Sequence, residues 1–329
     1  MNLAQAADRL GLGQLLDVPV LLKDDGQNPV WKAVADSGSW VVKIVQPSGD
    51  FWLPMAAQAG ALEVAAWGIG VTMPEPRSTT LGEAGLWRPI GDGAYARAVR
   101  FVEGAHPTAP ASEPLAAWAG GLVADLARCA IPADPTVDGD YRSYSAGEWE
   151  EWFAQAERLE VLGAEHVRVF KLSVERTEAM VEDQQELWRS KLVMHRDIRH
   201  QNVLTGSGGP VLLDFDAAGA QDPWWELVFT AFGLARIGPG SEVPERRVVE
   251  ACLSGYVAAG GAVGAVDESA FTGMFAGGVG AAAWQLWMAC GHRGGSPEYQ
   301  AGFARALRES VGAMAVMLEA MPTWSTWLR

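Results

Sequence analysis

A short segment in the middle of the chain, His195 to Asp216, most constrains how this sequence can fold. Two apolar stretches, 203–204 and 211–215, flank a glycine-rich run at 206–209, and this pattern predicts a β-hairpin. A hairpin returns the chain to its starting point. We therefore expect Asn202, at the start of the first strand, to approach Asp214, at the end of the second.

The residue types in this segment predict a metal site next to a catalytic carboxylate. An amide oxygen and a carboxylate suit a hard divalent cation such as Mg²⁺, which completes its shell with phosphate oxygens and water. Asn202 and Asp214 are therefore the predicted metal ligands. Asp197, in the loop before the hairpin, is left to accept a proton from an attacking hydroxyl or to orient it, and we predict it as the catalytic residue.

The order of these residues resembles a known catalytic core. His195-Arg196-Asp197, with Asn202 five positions after the aspartate and then Asp214-Phe215, resembles the eukaryotic-type kinase superfamily. Asp216 stands where protein kinases have glycine, and only eight positions separate Asp214 from Asp222, too few for an activation segment. Leu213 to Leu227 instead resembles the aminoglycoside phosphotransferase family, where an aspartate-aromatic-acid strand end precedes a G-x-x-D-P turn and an acid-leucine pair. That acid is usually Asp and is Glu226 here.

The resemblance implies an α+β, bilobal protein-kinase-like fold. A β-rich N-terminal nucleotide-binding lobe would span residues 1–103, and a mainly helical catalytic and acceptor-binding lobe would span 104–329. The implied activity is transfer of the γ-phosphate of ATP or GTP, with Mg²⁺, to a hydroxyl of a small molecule. An aminoglycoside or another hydroxylated antibiotic is the first expectation, which would make the chain an antibiotic-resistance enzyme. A choline, ethanolamine or sugar kinase and a non-catalytic, pseudokinase-like binding protein are the alternatives.

The first hundred residues contain strand-like and helical stretches that suit such a lobe. Strands are predicted at 19–22, 30–35, 40–45, 87–90 and 96–102, and a helix at 55–67. Lys43 lies inside the predicted apolar strand 40–45, and Glu63 is the only acidic residue of the predicted helix 55–67. The resemblance implies that Lys43 holds the α- and β-phosphates and that Glu63 fixes Lys43. An edge-strand lysine and a surface glutamate remain the alternative.

The resemblance also assigns supporting residues. Adenine would lie against the backbone of the linker strand formed by Arg100, Phe101 and Val102, and the phosphate-covering loop would be 25–28. His195 would brace the catalytic loop rather than act as a base. Asp222 would support that loop as a turn or helix-capping residue. Lys32, Arg196 and Arg199 either contact phosphate or lie on the surface.

The second half of the chain has helical periodicity and an uneven distribution of charge. Helices are predicted at 115–130, 146–192, 224–236, 244–260, 268–291 and 297–320. Asp134 to Glu186 carries 14 acidic against 5 basic side chains, and the chain has 15 tryptophans. Carboxylates beside indoles would suit a cationic acceptor, by charge attraction and cation–π contact. A solvated helix face and a tryptophan-filled core are the alternatives.

Composition excludes several classes of protein. The net charge of −15 argues against a nucleic-acid partner. Residues 269–290 carry no charge and exceed the roughly 18 residues that suggest a membrane helix, but their glycines favour a buried helix instead. Three widely spaced cysteines and the charged N-terminal stretch, which lacks a secretory signal, predict a cytoplasmic protein. We expect a monomer or homodimer with no membrane partner.

Overall fold

The computed structural model describes residues 3–23, 28–47, 51–134, 136–137, 144–183, 191–236, 243–292 and 296–329. The chain divides into two compact units. The first consists of Met1–Thr108, Asp125–Asp138 and Leu192–Ala220, and the second of Ala109–Ala124, Gly139–Lys191 and Gln221–Arg329.

An antiparallel sheet of five strands dominates the first unit, in the order β1-β2-β3-β5-β4. The strands are β1 (Val20–Lys23), β2 (Val30–Ala35), β3 (Gly38–Val45), β4 (Arg88–Gly91) and β5 (Ala94–Arg100). β2 and β3 form a tight hairpin whose last pair is Ala35 with Gly38. Gly38 has a φ of +120°, a conformation that L side chains rarely adopt, which explains the glycine at this turn. Each predicted strand of this sheet is present, and no bound is shifted by more than two residues.

The two faces of this sheet differ in chemistry because successive side chains of a strand point to opposite sides. One face is apolar, with Trp40, Val42 and Ile44 packed against the short helix α1 (Leu3–Arg9). The opposite face carries Lys43 on β3 and Arg97 on β5, which are direct cross-strand partners. The alanine-rich helix α2 (Trp52–Gly68) covers that second face.

The predicted hairpin follows a short strand. β6 (Leu192–Met194) pairs with β9 (Gly219–Gln221), and β7 (Val203–Gly206) pairs with β8 (Gly209–Leu212). The hairpin prediction is confirmed, but β8 ends at Leu212 rather than at Phe215. The reason is that Asp214 adopts a left-handed conformation, with φ of 63°, and Phe215–Ala217 form a 3₁₀ turn.

Most of the remaining helices belong to the second unit. They are α3 (Glu113–Arg128), α4 (Ala146–Arg158), α5 (Ala164–Asp183), α6 (Pro223–Ala235), α7 (Arg246–Ala258), α8 (Thr272–Ala289) and α9 (Pro297–Trp324). The single helix predicted over 146–192 is therefore wrong. α4 stops at Arg158, Glu160 takes a positive φ of 55°, and α5 starts only at Ala164.

The uncharged stretch at 269–290 forms the buried helix that its glycines predict. Along α8, Phe275, Val279 and Leu286 are almost fully buried, and the helix contacts α5 and α9. Among the described residues, no helix combines the length and apolar character needed to cross a membrane.

Candidate active site

The loop after β6 holds Asp197 through two neighbours. The Asn202 side-chain amide donates hydrogen bonds to the Asp197 carboxylate at 2.6 Å and to its backbone carbonyl at 2.9 Å. The Arg199 guanidinium lies 2.8 Å from the other carboxylate oxygen. Burial raises the pKa of Asp197, although Arg199 and Asn202 oppose the shift. The carboxylate is thus oriented and a better proton acceptor than an exposed aspartate.

His195 is buried and ties this loop to the end of β8. Its Nε2 lies 3.0 Å from the carbonyl oxygen of Leu213, and its Nδ1 accepts from the Asp197 amide at 3.3 Å. A neutral ring protonated on Nε2 satisfies both contacts. Burial lowers the pKa of His195 to about 4, although the Leu213 hydrogen bond opposes the shift. His195 thus connects the Asp197 loop to the end of β8 through both ring nitrogens.

Asn202 and Asp214 lie on adjacent segments of the backbone, as expected from the predicted hairpin. The backbone amide of Leu213 donates to the Asn202 carbonyl at 2.8 Å. The left-handed conformation of Asp214 accompanies a hydrogen bond from the Asp216 amide to its carboxylate. Burial opposes ionisation of Asp214, but the Lys43 and Arg97 charges outweigh it and hold the pKa of this carboxyl well below its usual range.

The ion pairs of Lys43 and Glu63 differ from those that the resemblance implies. Lys43 Nζ lies 2.5 Å from Asp214 and 2.9 Å from Asp216, whereas the expected partner was Glu63. Glu63 on α2 is almost fully buried and bonds the Arg97 guanidinium at 2.8 Å. The physical reason is the register of the sheet, which places Arg97 opposite Lys43 and in reach of Glu63.

Arg97 is a residue of this site that the sequence reasoning missed. Its guanidinium also lies 3.1 Å from Asp216, so that it links α2 to the segment after β8. Arg97 is 5% exposed, and burial disfavours its charge. The carboxylates of Asp216 and Glu63 outweigh burial and raise the pKa of Arg97 above that of an ordinary arginine. The signal available in the sequence was a lone arginine between alanines in a strand, a position where an unpaired charge is costly.

The residues around Asp214 fit a divalent cation that shares its coordination with phosphate. The structure brings the Asn202 and Asp214 backbones together, and Asp214 stays ionised. Within the described residues, no cluster of three or more His, Cys, Asp or Glu side chains could hold a metal by itself. Mg²⁺ commonly takes one or two protein oxygens and completes its shell with substrate phosphates and water. Two oxygen-bearing side chains are therefore sufficient.

The linker strand offers fewer backbone donors than expected. The amides of Arg100 and Phe101 donate to the carbonyls of Glu75 at 2.8 Å and Ser39 at 2.9 Å. Neither amide is then available to an adenine. Val102 is the member of the predicted trio whose amide donates to no acceptor within the described chain. Residues 25–27 of the predicted phosphate loop lie outside the described residues.

The other predicted polar residues have local partners. Asp222 is the N-cap of α6, where its carboxylate accepts from the amides of Trp224 and Trp225 at 2.9 and 3.2 Å. Arg196 donates to the Ala217 carbonyl. Lys32 lies 3.8 Å above the Phe101 ring, and Arg199 pairs with Asp197.

Comparison with known proteins now identifies the family. The model of the phosphotransferase enzyme family matches residues 20–261. The chain belongs to this family. No curated protein sequence matches it. The earlier resemblance to the aminoglycoside phosphotransferases is confirmed.

Solved structures of small-molecule kinases share the fold at low identity. A microcompartment-associated aminopropanol kinase is 15% identical, with a TM-score of 0.64 over 97% of this chain and 98% of its own. An amicoumacin kinase in complex with AMP-PNP and Ca²⁺ is 16% identical, with a TM-score of 0.59 over 93% and 92%. An aminoglycoside phosphotransferase from Alicyclobacillus acidocaldarius is 12% identical, with a TM-score of 0.56 over 97% and 96%. The α+β kinase-like fold prediction is confirmed.

Proposed function

We propose that the chain is a Mg²⁺-dependent kinase that transfers the γ-phosphate of ATP or GTP to a hydroxyl of a small molecule. The observation that carries this proposal is the joint placement of Asp197, Asn202 and Asp214 in the first unit, with Lys43 on the Asp214 carboxylate. The four positions supply a base, two cation ligands and a phosphate-binding ammonium, which phosphoryl transfer requires.

Each of these side chains has a separate role. Asp197 accepts the proton of the acceptor hydroxyl or orients that hydroxyl, and the Asn202 amide holds the Asp197 carboxylate in place. Asn202 and Asp214 would hold a divalent cation, and Lys43 would then bind nucleotide phosphates in place of Asp214. Such a cation, when bound, neutralises negative charge on the β- and γ-phosphates. Arg97 keeps Asp216 in position while Lys43 exchanges partners.

We infer that the acceptor is a small molecule with a cationic group, as in an aminoglycoside, and that helices of the second unit bind it. α4 and α5 expose many carboxylates, and Trp152 and Tyr144 lie in contact at their edge. Trp284 on α8 is 40% exposed. Choline or ethanolamine is the second candidate class, since both are cationic and carry a hydroxyl. The three free cysteines favour a cytoplasmic location.

The test combines an acceptor screen with two substitutions. Wild-type protein, Mg²⁺ and either ATP or GTP are incubated with aminoglycosides, other hydroxylated antibiotics, choline and sugars, while nucleoside diphosphate is measured. We expect Asp197→Asn to lower turnover by about 10²- to 10⁴-fold with nucleotide affinity retained. We expect Asp214→Asn to abolish Mg²⁺-dependent nucleotide binding, measured by calorimetry.

Two results would contradict the proposal. Turnover of Asp197→Asn close to that of the wild type would remove its catalytic role. Failure of the wild-type chain to bind nucleotide with Mg²⁺ would favour a non-catalytic binding protein. Asp125→Asn, at a half-buried aspartate of α3 that pairs with Arg128, is the control and should leave both measurements unchanged.

A further inference from the structure

The first unit contains a polar pocket apart from the candidate active site. It lies at the edge of the sheet that β4 and β5 form. Its volume is about 350 Å³, the lower range of small-molecule sites. Its wall includes four arginines, contributed by the end of α1, the segment before β4, β4 itself and β5. These are Arg9, Arg77, Arg88 and Arg97.

We propose that this pocket binds a compact phosphate-type anion, either inorganic phosphate or a small phosphate monoester. Two carboxylates, Asp8 and Glu63, also line it, and Glu63 is already bonded to Arg97. Positive charge therefore exceeds negative charge in the pocket, within a chain whose net charge is −15. Clustered guanidinium groups match the geometry of phosphate oxygens, which they bind through paired N–H donors.

Arg77 retains a donor that the protein does not use, whereas the Arg88 guanidinium donates to the carbonyls of Thr80, Gly85 and Trp87. Arg77 donates from Nη2 to the Gly11 carbonyl at 2.7 Å. Its Nε is buried, and no acceptor within the described chain lies at hydrogen-bond distance. A buried donor without a partner is unfavourable, and an anion in the pocket would satisfy it. Arg9 is exposed at the rim, where it would add charge without being needed for folding.

The pocket is distinct from the candidate catalytic site, although two side chains, Glu63 and Arg97, belong to both. Lys43, Asp197 and Asp214 are not among the residues that line it. Arg97 contacts Asp216 and Glu63 through the same nitrogen, Nη1. An anion that engages Arg97 would compete with Asp216 for this guanidinium, so occupancy of the pocket and cation binding near Asp214 should be coupled.

The test measures phosphate binding to the full chain by calorimetry, with chloride added to hold ionic strength constant. Mg²⁺ and AMP-PNP are present at saturation, so that phosphate does not titrate the nucleotide site. Arg77→Gln and Arg9→Gln should each weaken the phosphate Kd by about tenfold. Arg246→Gln, an exposed arginine of α7 in the second unit, should leave it unchanged.

Glycerol phosphate in place of inorganic phosphate identifies the source of the anion. Equal affinities would assign the pocket to free phosphate, and tighter binding of the ester would assign it to a phosphorylated small molecule. An unchanged phosphate Kd in Arg9→Gln, which is too exposed to affect folding, would overturn the proposal. So would the absence of phosphate binding to the wild-type chain. Neither result depends on whether the chain transfers phosphate to an acceptor.

Discussion

Two cations face each other across β3 and β5, where Lys43 and Arg97 are direct neighbours in the antiparallel register. Like charges at such positions destabilise a sheet, and burial increases the cost. The structure compensates with three carboxylates, from Glu63, Asp214 and Asp216. In the proposed function, Lys43 leaves Asp214 for a nucleotide phosphate while Asp216 and Arg97 remain paired. The pair between Glu63 and Arg97 thus stabilises the sheet rather than fixing Lys43 directly.

Replacing Glu63 tests this arrangement. Glu63→Gln leaves the buried Arg97 without its α2 carboxylate. We expect the free energy of unfolding to fall by about 3 kcal/mol, because the remaining charge stays buried without the partner that compensated its loss of hydration. Glu75→Gln removes the exposed partner of Arg100 and should cost less than about 1 kcal/mol. Urea unfolding of both variants provides the comparison. Equal losses would show that the buried pair is unimportant.

The positions of Lys43 and Glu63 were predictable from sequence, but their partners were not. Which charges meet depends on the register between β3 and β5, and two strands separated by α2 and β4 do not reveal that register. Asp197, Asn202 and Asp214 were easier to place because they lie within one hairpin and its approach. Their roles stay predictions until the substitutions are measured.

His195 makes stability depend on pH in a defined window. Its pKa is about 4 in the folded protein against 6.5 for an ordinary histidine, because burial disfavours the imidazolium. The unfolded chain therefore binds a proton first as pH falls, so stability falls between about pH 6.5 and pH 4. On lowering pH from about 7 to about 4.5, the wild type should lose about 2–3 kcal/mol more than His195→Gln. Urea unfolding at both pH values measures the difference, and equal losses would contradict a neutral buried His195.

At the scale of elements, the sequence predicted the bounds of strands more closely than those of helices. Two short apolar stretches on either side of a glycine-rich run predicted the hairpin of β7 and β8. The end of β8 was missed because the left-handed conformation of Asp214 leaves no mark in a pattern of hydrophobicity. The interruption between α4 and α5 was missed for a similar reason, since residues 159–163 continue an apolar periodicity.

Helices α3 and α7 approach each other through two glycines. A Cβ on Gly120 would lie 1.9 Å from the Cys252 carbonyl oxygen, and one on Gly255 would lie 1.9 Å from that of Ala117. Both contacts involve backbone atoms of the facing helix, which cannot move without separating the helices. Gly121, one position further along α3, has only ordinary contacts at 3.8 Å.

Adjacent substitutions in α3 should therefore have opposite effects. Gly120→Ala should lower the free energy of unfolding by about 1–3 kcal/mol, as overpacking does. Gly121→Ala should raise it by up to about 1 kcal/mol, because alanine is the better helix former and meets no obstacle. Thermal and urea unfolding of the two variants provide the measurement. A stabilising Gly120→Ala would show that α3 and α7 are not in close contact.

At the scale of the whole molecule, the distribution of negative charge bears on the acceptor. α4 buries Trp149 and Phe153 in the second unit and exposes Glu150, Glu151 and Glu157. Part of the tryptophan content therefore fills a core, as the alternative reading of the sequence held. Some of the carboxylates are paired, as Glu150 is with Lys171, but Glu151 has no ion pair among the described residues. The acidic surface is thus available to attract a cation over a distance.

Salt should distinguish a cationic acceptor from a neutral one. Attraction between exposed charges is screened over a distance of about 8–10 Å at physiological ionic strength. At about 1 M salt this distance falls to about 3 Å. If the exposed carboxylates of α4 and α5 attract the acceptor, its KM should rise severalfold between about 0.05 and 0.5 M NaCl while a sugar acceptor's KM stays constant. Glu151→Gln should reduce that salt dependence, and Glu298→Gln, an exposed acid at the start of α9, should not. Turnover confined to neutral acceptors, or a KM for a cationic acceptor that is independent of salt, would contradict acidic steering and leave the kinase proposal intact.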